Sequence, residues 1–225
     1  MMSEIKAMIF DLDGVITDTA EYHFLAWKQL GDDLGIPFDR AFNEQLKGVS
    51  RMESLERILR LGNKENAFTD EEKQALATKK NDHYKELIKN ITPADLLPGI
   101  ENLLKETKAA GIKIGLASAS KNAFAVIDSL QVGHYFDYIV DAAKVKHSKP
   151  DPEIFLTAAD QLGVEYHTSV GVEDAEAGVE AIKSAGMFAV GVGTKEAMAK
   201  ADLIVDDTKS LNLVAIQEAF QAIQK

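Results

Sequence analysis

The stretch Ala7-Met8-Ile9-Phe10-Asp11-Leu12-Asp13-Gly14 places four apolar residues directly before two aspartates and a glycine. A short apolar run of this kind predicts a buried parallel strand with the aspartates at its carboxyl end. Because side chains alternate along an extended chain, Asp11 and Asp13 are expected on the same side of the strand end. Such a pair suits catalysis when a cation or a retained proton relieves the repulsion, and it equally suits an ordinary turn.

Apolar runs of the same kind recur along the chain, at residues 112–117, 139–140, 169–172 and 188–192. Helical patterns lie between them at about 100–110, 122–131, 152–162 and 175–185, and Gly111, Gly163 and Gly186 stand where helices would end. This alternation predicts an α/β fold with a doubly wound, Rossmann-like parallel sheet.

Residues 19–91 interrupt the alternation. Apolar residues recur there at helical spacing with no convincing strand, and the pairs Thr92-Pro93 and Pro98-Gly99 mark the return to the sheet. We therefore predict a helical domain at 19–91, inserted into a core domain formed by residues 1–18 and 92–225.

Charge and composition narrow the classes of function. The 225 residues include 25 Lys and Arg against 36 Asp and Glu, a net charge of -11, which disfavours nucleic acid and anionic membranes as partners. Cysteine is absent, which excludes disulfides, thiolate catalysis and cysteine metal sites. The start of the chain lacks the apolar length of a signal peptide or membrane span. We expect a cytoplasmic, monomeric protein that acts on small molecules.

Further polar residues follow the other predicted strands. Ser118 ends the second apolar run and could hold phosphate oxygens, although such a serine is often only a helix cap. Lys149 stands directly before a proline that stiffens the backbone, although a lone lysine is usually surface. Glu173 and Asp174 close the fourth run. Because ligands bind at the carboxyl ends of parallel strands, we expect these groups to lie at one edge of the sheet.

In this order, Asp11-Leu12-Asp13-Gly14, Ser118, Lys149 and Glu173-Asp174 resemble the four motifs of the haloacid dehalogenase superfamily, and the resemblance covers the whole chain with the insert as its cap domain. It implies that Asp11 is a nucleophile that becomes an aspartyl phosphate and that Asp13 is the general acid and base. Ser118 and Lys149 would bind the phosphate. Mg²⁺ would be bound by Asp11, the backbone carbonyl of Asp13, Glu173 and Asp174, which are the hard oxygen ligands that this ion prefers.

Other segments, at residues 17–23, 46–51, 80–81 and 118–122, resemble the sugar phosphomutases of that superfamily. The resemblance implies interconversion of beta-D-glucose 1-phosphate and D-glucose 6-phosphate, with glucose 1,6-bisphosphate as primer and intermediate. A mutase must hold two phosphates, and we expect the second to be bound by Arg51 with Ser120, Lys121 and Asn122. The other expected substrate-binding residues are Gly48, Val49, Ser50, Lys80 and Ala119. His23, near the hinge, is expected to couple cap closure to the position of Asp13.

Alternatives remain at this point. The same motifs would serve a sugar-phosphate phosphatase, in which water accepts the phosphoryl group. An aspartate-phosphorylated receiver also combines a parallel sheet with Mg²⁺, but it needs neither Asp13 nor the insert. His23 is more often a packing residue, and Arg51 would ordinarily pair with Glu53 or Glu56.

Overall fold

The computed structural model describes residues 4–46 and 49–223. The chain forms two compact units, one from the segments that end at Asp18 and begin again at Thr92, the other from Thr19–Ile91. The assignment of these units as a core domain, 1–18 and 92–225, and an inserted cap domain, 19–91, stays a prediction.

The larger unit contains a parallel sheet of six strands in the order β3-β2-β1-β4-β5-β6. The strands are β1 Ala7–Phe10, β2 Lys113–Leu116, β3 Tyr138–Ile139, β4 Ser169–Glu173, β5 Phe188–Val192 and β6 Leu203–Val205. Phe10 is level with Leu116 on one side and with Val172 on the other. The residues that follow these three positions therefore meet at one edge of the sheet, and the predicted α/β fold is confirmed.

Helices cover both faces of this sheet. They are α5 Ile100–Ala109, α6 Ala123–Ser129, α7 Glu153–Leu162, α8 Glu176–Ser184 and α9 Leu213–Ile223, numbered after the four helices of the smaller unit. Ile9 of β1 shares a buried apolar cluster with Phe155 of α7 and Ile182 of α8. On the other face, the Thr107 hydroxyl of α5 lies 3.5 Å from the Met8 sulfur. This two-sided cover makes the fold doubly wound.

The glycines predicted to end helices do so. Gly111, Gly163 and Gly186 have φ angles of 71°, 65° and 73°, in the left-handed region that favours glycine. Neither β6 nor α9, the last strand and the last helix of the described chain, was predicted from the sequence.

The smaller unit contains helices joined by loops and no strand among its described residues, 19–46 and 49–91, as predicted. Its elements are α1 Ala20–Asp33, α2 Arg40–Asn43, a 3₁₀ turn at Glu44–Leu46, α3 Arg51–Leu61 and α4 Asp70–Ile88. Trp27 of α1 packs in a buried core with Leu55 and Ile58 of α3. Thr69 and Glu72 form a reciprocal capping box at the start of α4, which fixes where the longest helix begins.

Within the described part of the chain, no helix combines the length and the apolar composition needed to cross a membrane. The cytoplasmic location and the monomeric state stay predictions.

Candidate active site

Three buried charged side chains meet at the carboxyl edge of the sheet. Lys149 Nζ donates to Asp11 Oδ1 and to Glu173 Oε2, each at 2.7 Å. The side chains of Lys149, Asp11 and Glu173 are only 1%, 7% and 0% exposed. The register of the sheet explains the meeting, because Asp11 follows Phe10 just as Glu173 follows Val172 in the neighbouring strand. Lys149 is therefore not the surface lysine of the simpler interpretation.

One ammonium group does not balance the acidic groups around it. Burial lowers the pKa of Lys149, but the charges of Asp11 and Glu173 outweigh burial and raise the pKa above its usual value. Burial and the charge of Asp11 raise the pKa of Glu173 to about 8, although Lys149 acts in the opposite direction. The acidic cluster would therefore bind a further cation favourably.

Asp11, Glu173 and Asp174 each offer a carboxylate oxygen, and these oxygens all lie within 4.8 Å of one another. One oxygen of Glu173, Oε1, also accepts from the backbone N–H groups of Asp174 and Ala175, at 3.2 Å each. A cluster of carboxylates at this spacing suits a hard divalent cation. The predicted carboxylate ligands are thus brought together.

Asp13 lies in a tight turn that follows Asp11. The backbone N–H of Gly14 donates to the carbonyl of Thr17 at 2.8 Å, and that of Ile16 donates to the carbonyl of Leu12 at 2.9 Å. Asp13 is half-buried and forms a backbone bridge with Thr17. The turn interpretation is correct for the backbone, but it does not account for Asp11, whose carboxylate binds Lys149.

The predicted phosphate-binding stretch forms two consecutive side-chain turns after β2. Ser118 Oγ accepts from the Ser120 N–H at 3.1 Å, and Ser120 Oγ accepts from the Asn122 N–H at 3.3 Å. Ser118 is 2% exposed, whereas Lys121 is exposed and Ala119, Ser120 and Asn122 are half-buried. Ser118 is not the cap of α6, because Asn122 is at the cap position of that helix.

In the helical unit, Lys80 lies among aromatic rings although it is charged and only 3% exposed. Its Nζ lies 2.8 Å from His23 Nδ1, 4.7 Å from the centre of the Trp27 ring and 4.8 Å from that of Tyr84. The His23 ring stacks on Tyr84 with the ring centres 4.1 Å apart. Tyr84 was not among the predicted site residues, and its only signal in the sequence is its position one helical turn after Lys80.

His23 is held in the neutral form. Burial lowers its pKa well below the usual 6.5, and the charges of Lys80 and then Arg51 lower it further. Because Nδ1 faces the Lys80 ammonium, it accepts, and the ring proton is assigned to Nε2. His23 is thus a neutral group inside a cationic cluster.

Arg51 begins α3 and donates from Nη2 to Asn81 Oδ1 at 2.8 Å. Pairing of Arg51 with a glutamate of its own helix was the wrong interpretation. Glu53 binds Arg57 at 2.9 Å, and Glu56 binds Lys73 at 2.8 Å. Asn81 was absent from the predicted site residues.

The remaining predicted residues of the helical unit lie just before Arg51. Val49 and Ser50 are half-buried, and Ser50 caps α3 by accepting from the Glu53 N–H at 3.2 Å. Gly48 lies outside the described residues.

Comparison with known proteins assigns the chain to a family. The model of the haloacid dehalogenase-like hydrolases matches residues 5–186. The chain belongs to this family. It is 54% identical over 217 residues to a beta-phosphoglucomutase from Bacillus subtilis strain 168, covering 96% of each chain. It is 32% identical over 185 residues to a phosphorylated carbohydrates phosphatase from Thermotoga maritima, covering 81% of this chain and 82% of the relative.

A crystal structure of beta-phosphoglucomutase from Clostridium difficile matches the fold with a TM-score of 0.96 at 54% identity, over 97% of this chain and 98% of that one. The superfamily resemblance drawn from the sequence motifs is therefore confirmed. Within the haloacid dehalogenase-like family, the two relatives differ in the named activity, a mutase at higher identity and a phosphatase at lower identity.

Proposed function

We propose that this protein is a beta-phosphoglucomutase, which interconverts beta-D-glucose 1-phosphate and D-glucose 6-phosphate through beta-glucose 1,6-bisphosphate. The observation that carries the proposal is the 54% identity to a protein of that name over 96% of both chains. The buried site at the edge of the sheet supports the chemistry, because a carboxylate held by an ammonium group is placed to accept a phosphoryl group.

In this proposal Asp11 attacks phosphorus and an ester bond to the sugar breaks, which leaves an aspartyl phosphate. Asp13 protonates the departing sugar oxygen and, in the second half-reaction, takes a proton from the attacking sugar hydroxyl. Lys149 holds the Asp11 carboxylate and offsets the negative charge of the arriving phosphoryl group. The Ser118 hydroxyl binds an oxygen of the same phosphate.

Asp11, Glu173, Asp174 and the backbone carbonyl of Asp13 would hold Mg²⁺. The closely spaced carboxylates support this, because burial and the charge of Asp11 raise the pKa of Glu173 and a bound cation would relieve both effects. The bound ion would screen the phosphate from the anionic nucleophile.

A mutase also needs a site for the phosphate that is not transferred. Arg51 is proposed for this role with Ser120, Lys121 and Asn122. The other proposed substrate-binding residues are Lys80, Gly48, Val49, Ser50 and Ala119. The cationic character of Arg51 supports the assignment, since a guanidinium binds phosphate in a bidentate manner. His23 is proposed to couple closure of the cap to Asp13.

The deciding experiment incubates the protein with beta-glucose 1-phosphate, Mg²⁺ and a trace of glucose 1,6-bisphosphate, and follows glucose 6-phosphate and inorganic phosphate together. We expect glucose 6-phosphate to account for the substrate consumed, with a rate that depends on the bisphosphate. Release of inorganic phosphate as the main product, with no need for the bisphosphate, would establish the phosphatase instead.

A further inference from the structure

The loop that carries Lys149 is held from outside the site by one carboxylate. Glu153 Oε1 accepts from the backbone N–H of Lys146 at 3.0 Å, and its Oε2 accepts from that of His147 at 2.7 Å. The His147 ring nitrogen Nδ1 lies 2.9 Å from the same Oε2. A single side chain thus fixes two consecutive peptide groups just before Lys149.

Glu153 is a rigid support because it is the first residue of α7, whose Ile154 and Phe155 are buried against the sheet. The centre of the Phe155 ring lies 5.0 Å from Lys149 Nζ. The same helix therefore supplies both the ring beside the ammonium group and the carboxylate that holds the loop.

The residues that follow Lys149 are also held by hydrogen bonds. The Asp151 N–H donates to the Ser148 carbonyl at 3.0 Å, and Asp151 Oδ1 accepts from the Glu153 N–H at 2.9 Å. With both flanks fixed, the Lys149 side chain is left with little freedom to leave its two carboxylate partners.

We propose that Glu153 is a positioning residue for Lys149: its carboxylate clamps the Lys146 and His147 peptides and thereby aims the Lys149 ammonium at Asp11 and Glu173. The positioning of Lys149 is inferred from these contacts alone, whereas the expected effect of Glu153 on turnover rests on the proposed function. The backbone N–H groups of Lys146 and His147 lower the pKa of Glu153, so the clamp stays ionised at neutral pH.

A glutamate at the start of a helix also interacts favourably with the helix dipole, whether or not it binds a loop. Glu101 offers a matched control for that ordinary role. It lies in the first turn of α5, and its carboxylate binds Lys105 of the same helix at 2.7 Å. Glu101→Ala removes an acidic group from a helix start without touching the loop before Lys149.

The experiment compares the full-length wild type, Glu153→Ala, Glu153→Gln and Glu101→Ala, all with Mg²⁺ present. Each lysine is labelled with a limiting amine-acylating reagent, and the labelling rate at every site is read by mass spectrometry. Steady-state kcat and KM for beta-glucose 1-phosphate are measured on unlabelled protein from the same preparations, with glucose 1,6-bisphosphate supplied.

We expect labelling of Lys149 to rise by roughly tenfold in Glu153→Ala, since the rate follows the population of the opened loop, while labelling of Lys105 stays the same. Glu153→Gln keeps one acceptor oxygen, so its Lys149 labelling rate should lie between those of the wild type and Glu153→Ala. In Glu153→Ala, kcat should drop by roughly 10- to 100-fold, as misplacing a catalytic group does, with little change in KM.

Equal labelling of Lys149 in the wild type and in Glu153→Ala would overturn the inference, and so would an equal rise in Glu101→Ala. If Glu153→Ala does not fold, Glu153→Gln against the wild type carries the same comparison. Labelling needs no turnover, so a wild type that lacks mutase activity would refute the proposed function and leave the result on Glu153 intact.

Discussion

The carboxylate of Asp174 occupies the space that a side chain at Gly14 would fill. A Cβ atom built at Gly14 would lie 2.0 Å from Asp174 Oδ2, and Gly14 has a φ of 73°. Glycine is therefore required at this position for two reasons: its backbone conformation, and the space that it leaves for Asp174. The turn after Asp13 and the acidic turn after β4 are packed directly against each other.

Gly14→Ala is expected to push Asp174 out of place and weaken Mg²⁺ binding. The Mg²⁺ concentration for half-maximal activity should rise by roughly 10- to 100-fold, the usual effect of disturbing the support of a metal ligand. Gly186→Ala is the control, because Gly186 has the same φ of 73° with no atom within 4 Å of the added Cβ. Equal effects in both variants would mean that backbone strain, not Asp174, limits metal binding.

Asp11→Asn is expected to abolish turnover while the fold and much of the substrate binding remain. The amide keeps the shape of the carboxylate but is not a nucleophile. Mass spectrometry of the wild type, treated with a phosphoryl donor, should find the phosphate on Asp11. Reproducible labelling of another residue would contradict the mechanism.

Asp13→Asn is expected to slow both half-reactions by roughly 10²-fold or more, which is the usual contribution of general acid–base catalysis. Rapid-quench measurement of formation and loss of the phosphoenzyme would give the two rates separately. Turnover close to that of the wild type would mean that Asp13 has only a structural role in the turn.

Local patterns were sufficient to predict the sheet and its edge. The apolar runs at 7–10, 112–117, 169–172 and 188–192 are each at least four residues long, and parallel strands bring Asp11 and Glu173 at their ends to one edge of the sheet. That β1 and β4 are neighbouring strands is shown only by the structure. β6 at Leu203–Val205 was not predicted, although β3 at Tyr138–Ile139, which is shorter and also half-buried, was. A run that short cannot be told from a loop by its period.

The contacts that the sequence did not reveal depend on tertiary structure. Lys80 and His23 are 57 positions apart, so no local pattern pairs them. The position of Tyr84 on α4 predicts at most that it is buried, not that His23 stacks on it. Glu153 was not predicted either, because an acidic residue at a helix start has an ordinary explanation.

His23 is expected to stay neutral well below pH 6.5 in the folded protein. The unfolded chain, with a histidine pKa near ~6.5, would then bind more protons, so the free energy of unfolding should decrease as the pH falls from about 6.5 toward the folded pKa. NMR titration of the ring gives the pKa directly. Lys80→Ala should raise it, whereas Lys79→Ala should not, because exposed Lys79 binds Asp33. A His23 that titrates at its usual value would contradict the assigned cluster.

Arg51→Ala separates the mutase from the phosphatase. If Arg51 binds the phosphate that is not transferred, the variant loses a charge-assisted contact of ~1.5–3 kcal/mol, or roughly 10- to 100-fold in mutase flux. Attack of water on phosphorylated Asp11 does not use that contact, so hydrolysis should fall far less, and the ratio of phosphate release to isomerisation should rise. Both products are measured at saturating Mg²⁺ with the bisphosphate supplied. Arg60→Ala, exposed in the last turn of the same helix, is the control and should leave the ratio unchanged. If Arg51→Ala lowers both activities in equal proportion, Arg51 does not hold a second phosphate.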